Sequence, residues 1–327
     1  MQGTKTKILI ISDTHGRDKM PSTSPPVGID VAIHCGDLTD GSKVSEFRAT
    51  LALLRSIDAP LKLVIAGNHD FTLDEAAYQK KAAEANRVFN ISADDLAREY
   101  GNVGDARRLM NEEEGITFLD EGIHRFNLNN GARLTVYASP FTPSESADWG
   151  FQYRSGDHHD YVIDQTVDIA ITHGPPEGIL DRTSSQKRGG CGQLFSAIAR
   201  ARPRLHCFGH IHEGWGARMV AWRDSITDNP SHLTDIDNGA STTIESLASL
   251  KPGKWDDAET TAGKNCRLRR LNELGYRHTS HCVGDEHPIR PGKATLFVNA
   301  AIQPGHGEED PSQLPWVVDI DLPSSTA

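Results

Sequence analysis

Short apolar runs recur along this chain, and several of them lead directly into polar residues. Continuous β-branched and apolar runs are typical of strands that are buried on both faces of a sheet. On this basis we predict strands at residues 5–11, 30–35, 61–66, 167–171, 205–208, 215–222, 295–299 and 316–320. Shorter runs with turn signals between them predict strands of a second sheet at residues 116–119, 123–128 and 134–137.

Helical periodicity separates several of the predicted strands. One helix is predicted to begin after a Ser42 cap and to end near Ile57. Its apolar face is formed by Val44, Phe47, Leu51 and Leu54. Further helices are predicted at residues 74–87, 92–100 and 194–201. In a chain of 327 residues, these elements suit one large α/β domain or two smaller ones.

Residues 224–290 do not follow this pattern. The segment is polar, mixed in charge and without clear periodicity, so we interpret it as an insertion that loops out between neighbouring strands and is partly disordered. It contains histidine and cysteine residues whose spacings match no standard zinc site, namely His278, His281, Cys282 and His287. We therefore predict a single domain over residues 1–327 that carries a polar insertion.

The overall charge limits the class of ligand. The formal net charge of −11 opposes long polyanions, because their binding draws most of its affinity from many Lys and Arg contacts. We therefore expect a small substrate rather than a nucleic-acid polymer, and the oligomeric state is left open. No apolar run is long enough to span a membrane, and the first one is too short for a secretion signal. The five cysteines form no CxxC pair, which fits a reducing compartment, so we predict a cytoplasmic location.

The polar residues that follow the predicted strands are of the types that bind metal ions. They comprise two carboxylates, one amide and four imidazoles: Asp13, His15, Asp37, Asn68, His173, His210 and His212. One ion cannot use so many ligands, whereas two ions can if a carboxylate bridges them. Two ions about 3.5–4 Å apart stabilise both the attacking and the leaving oxygen of an in-line phosphoryl displacement. Asp37 is the natural bridging residue.

Taken singly, these motifs have plainer interpretations. His210 and His212 could be half-buried and bonded to backbone carbonyls. The basic, glycine-rich loop at residues 187–192 could hold a phosphate, but it lacks the P-loop pattern and is better explained as a connector. The aromatic loop at residues 140–153 could border a pocket, although packing on the core is favoured. The polar residues after it are expected on the solvated surface: Arg154, Asp157, His158 and His159.

Five polar blocks occur in a fixed order along the chain. They are Asp13-x-His15, Gly36-Asp37, Gly67-Asn68-His69-Asp70, the lone His173, and Gly209-His210-Ile211-His212. Together they resemble the signature of the calcineurin-like metallophosphoesterase superfamily. Residues 172–181, 209–216 and 299–300 are also similar to its metallophosphoesterase-domain-containing group, the class III-like phosphodiesterases. The resemblance implies an α/β fold, a four-layer αββα sandwich of two mixed β-sheets flanked by helices.

The resemblance also implies roles for individual residues. One divalent ion would be held by Asp13, His15, Asp37 and His212. A second ion would be held by Asp37, Asn68, His173 and His210. His69 is implied to be catalytic, and Asp40 is placed to fix its tautomer. We expect Arg17, Asn68 and His69 to bind the substrate. Manganese is the expected metal, with iron, zinc and magnesium as alternatives.

These points predict a dinuclear metal-dependent phosphodiesterase that acts on small diesters, such as cyclic nucleotides or aryl diesters, through a hydroxide between the two ions. The preference for diesters rests on the few basic groups near the motifs, Arg17 and Lys187-Arg188, which are too few to bind a dianionic monoester or a polymer. The alternatives are a phosphomonoesterase or nuclease of the same superfamily, or a non-catalytic scaffold. Scaffolds of this superfamily typically lose ligands, and this chain keeps them all.

Overall fold

The computed structural model describes residues 3–20, 26–304 and 312–325. The strands, in chain order, are β1 (Thr4–Ile11), β2 (Val31–His34), β3 (Leu61–Val64), β4 (Thr117–Phe118), β5 (Gly122–Asn127), β6 (Arg133–Ser139), β7 (Thr142–Ser144), β8 (Gln152–Arg154), β9 (Ile169–Thr172), β10 (Leu205–Phe208), β11 (Gly216–Trp222), β12 (Ile236–Ser246), β13 (Arg277–Ser280), β14 (Ala294–Asn299) and β15 (Trp316–Leu322). The α-helices are α1 (Val44–Ser56), α2 (Glu75–Phe89), α3 (Ala93–Tyr100), α4 (Asp105–Asn111), α5 (Gly192–Ala201), α6 (Leu247–Leu250) and α7 (Ala258–Leu274).

Two mixed sheets contain most of these strands. The first has the order β13-β15-β1-β2-β3-β4, and the second has the order β12-β11-β14-β10-β9-β6-β5. Strands β1, β2 and β3 run parallel to one another, as do β14, β10, β9 and β6. The carboxyl ends of parallel strands lie at the same edge of a sheet, which is where ligands gather in such folds. Each sheet therefore presents one edge with several strand ends.

The side chains of β1 alternate between two apolar layers, as expected for a strand buried on both faces. Ile8 and Ile10 belong to a cluster that also contains residues of β6, β9, β10 and β14, so the two sheets pack face to face across it. Leu9 and Ile11 belong to a second cluster that contains the buried face of α1. Helix α5 packs against the outer face of the second sheet in a third cluster. The order helix, sheet, sheet, helix confirms the predicted αββα sandwich.

The start of α1 differs from the prediction. The cap position is occupied by Lys43, whereas Ser42 lies before it with a φ of +61°. The Glu46 carboxylate accepts hydrogen bonds from the backbone N–H of Lys43 (2.9 Å) and Gly41 (3.0 Å). The Ser42 hydroxyl instead accepts a bond from the backbone N–H of Thr72 at 2.8 Å. A local rule for helix caps could not reveal this longer-range contact.

Residues 224–290 contain more structure than the sequence pattern indicated. Strand β12 pairs antiparallel with β11 at the edge of the second sheet, and β13 pairs parallel with β15 at the edge of the first. Helix α7 has 17 residues and lies between these two strands in the chain. The interpretation as a partly disordered segment that only loops out is therefore corrected, although β11 and β14 on its two sides are indeed neighbours. None of the helices in the described ranges combines the length and apolar composition needed to cross a bilayer.

Candidate metal centre

Four residues with metal-binding side chains adopt a backbone conformation that is rare outside glycine. The φ angles are +56° for Asp13, +46° for His15, +53° for Asp37 and +66° for His210. Each residue in this conformation costs of order 1–3 kcal/mol in backbone strain, so the conformation persists only where the surrounding structure holds it. Here the loops after β1 and β2 hold each other, because Asp13 N–H donates to the Gly36 carbonyl (3.0 Å) and His15 N–H to the Asp37 carbonyl (3.2 Å). These strained turns bring the ends of the two strands together.

Asp13, His15 and His212 form the first group whose ligand atoms all lie within 4.8 Å of one another. His212 Nε2 is 3.2 Å from Asp13 Oδ1. The backbone N–H of His210 donates to the same carboxylate at 3.1 Å. Burial opposes ionisation of Asp13, but the contact with His212 more than offsets it and holds the pKa of Asp13 below its ordinary value. The environment of the first group therefore favours the ionised form of the Asp13 carboxylate.

Asp37, His173 and His210 form the second such group. His173 Nδ1 is 2.9 Å from the Cys35 carbonyl, which can only accept, so that nitrogen carries the hydrogen. The other nitrogen, Nε2, lies 3.3 Å from Asp37 Oδ1 and 3.0 Å from Asn68 Oδ1. Burial alone would lower the pKa of His173, but the Asp37 carboxylate outweighs it and raises that pKa to about 9. Two oxygens, Asp37 Oδ1 and Asn68 Oδ1, and the ring nitrogen Nε2 of His173 thus lie together. Such a set of acceptors is stabilised by a cation between them, either a proton on Nε2 or a metal ion.

Asp37 links the two groups. It belongs to the second group and also to a third one with His15 and His69, and its Oδ1 accepts a 2.8 Å hydrogen bond from the backbone N–H of His69. Burial raises the pKa of Asp37, but the charge of His173 and the neighbouring histidines lowers it further than burial raises it. An ionised carboxylate therefore stands between the two groups, in the position expected of a bridging ligand.

The side chains fit divalent cations. Both ring nitrogens of His15 are buried and hydrogen-bond to no residue that the structure describes. A buried nitrogen without a partner costs about 1–3 kcal/mol, which a bound ion would relieve. Burial lowers the pKa of His15, and it lowers the pKa of His210 to about 4, so both rings are held in the neutral form that binds metals. Carboxylate oxygen, amide oxygen and imidazole nitrogen together suit manganese, iron or zinc.

Asp70 is a supporting residue to which the sequence pattern assigned no separate role. Its buried carboxylate accepts hydrogen bonds from the backbone N–H groups of Leu38 (3.0 Å), Thr39 (2.9 Å) and Gly67 (2.8 Å). Burial, followed by the charge of Asp37, raises the pKa of Asp70 to about 7 even though these bonds oppose the shift. Asp70 thereby joins the loop after β2 to the loop after β3.

Two further supporting residues come from the end of the chain. The Asn299 amide donates to the carbonyls of Ile211 (2.9 Å) and Leu180 (3.3 Å). The Gln313 amide donates to the carbonyl of His212 at 2.8 Å. These bonds hold the backbone of the loop that contains His210 and His212. The sequence showed Asn299 only as part of a family likeness, and no pattern indicated Gln313.

His69 and Asp40 lie together, but their contact differs from the expected one. His69 Nδ1 is 2.6 Å from the main-chain carbonyl of Asp40, so the carbonyl accepts and Nδ1 carries the hydrogen. The Asp40 carboxylate is 4.0 Å from the same nitrogen and 73% exposed. Its nearer imidazole is that of His15, with 3.4 Å between Oδ1 and Nδ1. The tautomer of His69 is therefore fixed by the backbone of Asp40 and not by its side chain.

Two of the three basic residues expected near the substrate, Arg17 and Arg188, are hydrogen-bonded to other side chains. The Arg17 guanidinium donates to Gln303 Oε1 at 3.0 Å. Arg188, in the glycine-rich loop, donates to Asp181 Oδ1 at 2.7 Å. A role for Arg17 in substrate binding stays a prediction.

The aromatic loop borders the site on one side. The Trp149 ring lies 4.4 Å from the His69 ring, centroid to centroid, whereas Phe151 is buried in the core. His159 was expected in solvent, but its side chain is only 17% exposed and its Nε2 is 2.8 Å from Glu121 Oε1. Its ring stacks on Tyr153 at 5.1 Å. Both alternatives for this loop are thus partly realised, because it packs on the core and also reaches the site.

Comparison with known proteins places these residues in a family context. A family model described as calcineurin-like phosphoesterase matches residues 6–214, which include all seven candidate ligands. Metallophosphoesterase domain-containing protein 1 from Homo sapiens and its Mus musculus counterpart are each 34% identical over 222 residues, covering 64% of this chain and 62% of theirs. A UPF0046 protein from Caenorhabditis elegans is 29% identical over 218 residues, covering 64% of this chain and 52% of its own. The matched region thus spans less than two thirds of each of these relatives.

Proposed function

This chain belongs to the calcineurin-like phosphoesterase family, and on that premise we propose that it is a dinuclear metal-dependent phosphodiesterase of small substrates. Membership of this family supports the hydrolysis of phosphoric esters as the reaction. The observation that supports two ions is the position of Asp37. Its carboxylate lies within 4.8 Å of ligand nitrogens of His173 and His210 in one group, and of His15 in another. A single carboxylate between two sets of imidazoles is what a pair of ions requires.

The residues would be divided between the ions as the family resemblance implies. Asp13, His15 and His212 would hold one ion, and Asn68, His173 and His210 the other, with Asp37 common to both. When bound, two divalent ions supply Lewis acidity at the phosphoryl oxygens and lower the pKa of a coordinated water toward neutrality. Manganese is the metal we propose, with iron, zinc and magnesium as alternatives.

We assign His69 the role of proton donor to the leaving group. With Nδ1–H held by the Asp40 carbonyl, the nitrogen left for the substrate is Nε2. A proton can leave Nε2 only from the doubly protonated ring. As the bond between phosphorus and the leaving oxygen breaks, the electron pair stays on that oxygen and the Nε2 proton neutralises it, leaving a neutral imidazole. General acid catalysis of this kind typically contributes 10²–10⁴-fold.

The preference for small diesters follows from charge. The formal net charge is −11, and the two arginines expected near the site are already bonded to Gln303 and Asp181. A dianionic monoester or a nucleic-acid polymer would draw on additional cationic side chains. A cytoplasmic location belongs to the same proposal, supported by five cysteines that form no disulfide bond with one another in the structure.

The test compares kcat/KM for a bis-aryl phosphate, an aryl phosphate, 2′,3′- and 3′,5′-cyclic nucleotides and duplex DNA with Mn²⁺ present. We expect the diesters to be hydrolysed fastest, and elemental analysis of the active protein to give two ions per chain. A preference for the monoester or for DNA would contradict the substrate assignment. A stoichiometry of one ion or fewer would contradict the dinuclear site, and no hydrolysis at all would favour a scaffold.

A further inference from the structure

The indole of Trp149 contacts the imidazole that we propose as proton donor. The two ring centroids are 4.4 Å apart and the ring planes are tilted by 32°. On another side, the His15 ring meets His69 edge-on at 4.8 Å. His69 is itself partly exposed, with 26% of its side chain accessible. The imidazole is thus confined by two rings and by one hydrogen bond from Nδ1 to the Asp40 carbonyl.

The backbone next to Trp149 is fixed to the segment that contains His69. Gly150 N–H donates to the Asn68 carbonyl at 3.1 Å, and Phe151 N–H donates to the Asp74 carboxylate at 2.9 Å. A Cβ atom at Gly150 would lie 2.6 Å from the Cα of Phe71, so the two segments approach as closely as a glycine allows. The position of the indole relative to His69 is therefore set by the backbone and does not depend on the stacking alone.

The indole is also held by its other neighbours. Lys81 Nζ lies 4.9 Å from the centroid of the Trp149 ring and 5.0 Å from that of Phe71, which are distances of cation–π contacts. The Phe71 ring meets the indole edge-on at 6.2 Å. Trp149 is 38% exposed, so the indole borders solvent on the side that does not face His69 and Phe71.

We propose that Trp149 is a positioning residue for His69 and acts on the reaction only through it. A single hydrogen bond at Nδ1 leaves the imidazole free to swing about that contact, which would move Nε2 relative to the leaving oxygen. The flat face of the indole removes this freedom, because the ring cannot turn without colliding with it. This inference rests on the proposed function of His69 as proton donor.

A double-mutant cycle tests the proposal, since residues that act through one another give non-additive effects. The variants are Trp149→Ala, Trp149→Phe, His69→Ala and the double alanine variant, each assayed on diesters with alkyl and with nitrophenyl leaving groups. We expect Trp149→Ala to lower kcat for the alkyl ester by roughly 10- to 100-fold, as a misplaced catalytic group does. KM, metal content and the rate with the nitrophenyl ester should change little, and phenylalanine should restore most of kcat.

In the His69→Ala background, Trp149→Ala should cause no further loss. A loss of the same size in both backgrounds would overturn the proposal, because it would mean that the indole acts independently of His69. A rise in KM alone would also overturn it, because the indole would then contribute to substrate binding and not to the position of the proton donor. The matched control is Trp255→Ala, which removes a tryptophan that is 89% exposed and also has a lysine nitrogen, Lys254 Nζ, 5.1 Å from its ring. This control should behave as wild type.

A readout independent of turnover separates this proposal from the proposed function. Nitrogen-15 NMR of the imidazoles, with diamagnetic Zn²⁺ in place of Mn²⁺, should give one narrow His69 Nε2 signal in the wild type, identified by its loss in His69→Ala. That signal should broaden in Trp149→Ala, recover in Trp149→Phe and stay narrow in Trp255→Ala. If the wild type hydrolyses no ester, the proposed function fails whatever the spectra show. An unchanged His69 signal in a folded Trp149→Ala protein would overturn the positioning role even if the enzyme is active.

Discussion

Asp37 is the side chain that belongs to two of the three candidate ligand groups and joins His173 and His210 to His15. Its carboxylate is buried, lies 3.3 Å from His173 Nε2 and accepts the backbone N–H of His69. Replacement by asparagine keeps the shape and one acceptor oxygen but removes the negative charge. At the scale of single residues, an Asp37→Asn variant therefore tests the effect of the negative charge separately from the effect of side-chain shape.

We expect Asp37→Asn to lower both metal content and kcat/KM. Mutation of a residue that only supports a metal ligand typically costs 10–100-fold in metal affinity or activity. Mutation of a ligand that both ions share should therefore cost more than roughly 100-fold. Elemental analysis after gel filtration and a diester assay measure the two effects. Asp58→Asn, at an exposed position after α1, serves as the control. Full metal content in Asp37→Asn would remove the bridging role.

His69 and Asp40 make a second test at this scale. His69→Ala should keep its metal ions and lose roughly 10²–10⁴-fold in rate with alkyl leaving groups, but less with nitrophenyl groups, which need no proton. Asp40→Ala should lose far less, because the carbonyl that holds Nδ1 belongs to the backbone and remains in place. Leaving-group dependence of both variants is the measurement. An equal loss in Asp40→Ala would show that the carboxylate matters after all.

At the scale of elements, the loop with His210 and His212 depends on strand β14 for support. Asn299, the last residue of β14, donates to the Ile211 and Leu180 carbonyls. This strand lies beyond residues 6–214, the part matched by the family model. The ligand loop thus takes part of its geometry from a segment outside the signature blocks.

We expect Asn299→Leu to weaken metal binding by roughly 10–100-fold, because the carbonyls lose their donor and the ligand loop can shift. The buried carbonyls left without a partner should also cost about 1–3 kcal/mol of unfolding free energy. Titration of the metal-free protein with Mn²⁺ and thermal unfolding measure the two effects. Asn238→Leu, at an exposed position in β12, should alter neither. Unchanged affinity in a destabilised Asn299→Leu protein would limit Asn299 to a purely structural role.

At the scale of the whole molecule, residues 224–290 connect the outer edges of both sheets. They supply β12 to one sheet and β13 to the other, and Leu250, Leu271 and Ile289 lie in the apolar cluster between the sheets. The buried Glu245 carboxylate pairs with Arg267 at 2.6 Å, within the same segment. This part of the chain therefore combines a polar surface with apolar side chains that are buried between the sheets.

Replacement of residues 224–290 by a short Gly/Ser linker should give an insoluble or unstable protein. Loss of one buried leucine costs about 2–5 kcal/mol, and at least the three side chains of this apolar cluster would be lost from a total stability of about 5–15 kcal/mol. Soluble yield and thermal unfolding are the measurements. Replacing only the exposed residues 252–255 by Gly/Ser should leave folding intact. A stable, metal-loaded deletion variant would contradict this expectation and restore the interpretation as an insertion that only loops out.

The αββα layering was implied by the family resemblance. The sequence by itself determined the buried strands and the set of ligand-type residues. Both follow from local rules, since buried strands such as residues 5–11 are apolar throughout and the ligand-type residues follow strand ends within a few positions. Parallel strands bring their carboxyl ends to one edge of a sheet, so the local order of residues was enough to predict that Asp13, Asp37 and Asn68 would lie near one another. The packing of the two sheets face to face adds His173 and His210 to them.

Only the tertiary structure decided which atoms contact one another. The hydrogen bond from His69 to the Asp40 backbone, the Trp149 ring over His69 and the Asn299 support join segments whose approach depends on packing. Strand β12 was missed because an edge strand with mostly exposed side chains lacks the apolar alternation that marks a strand in sequence. Side-chain contacts between distant segments leave no periodic trace in a sequence, because they are fixed by three-dimensional packing and not by spacing along the chain.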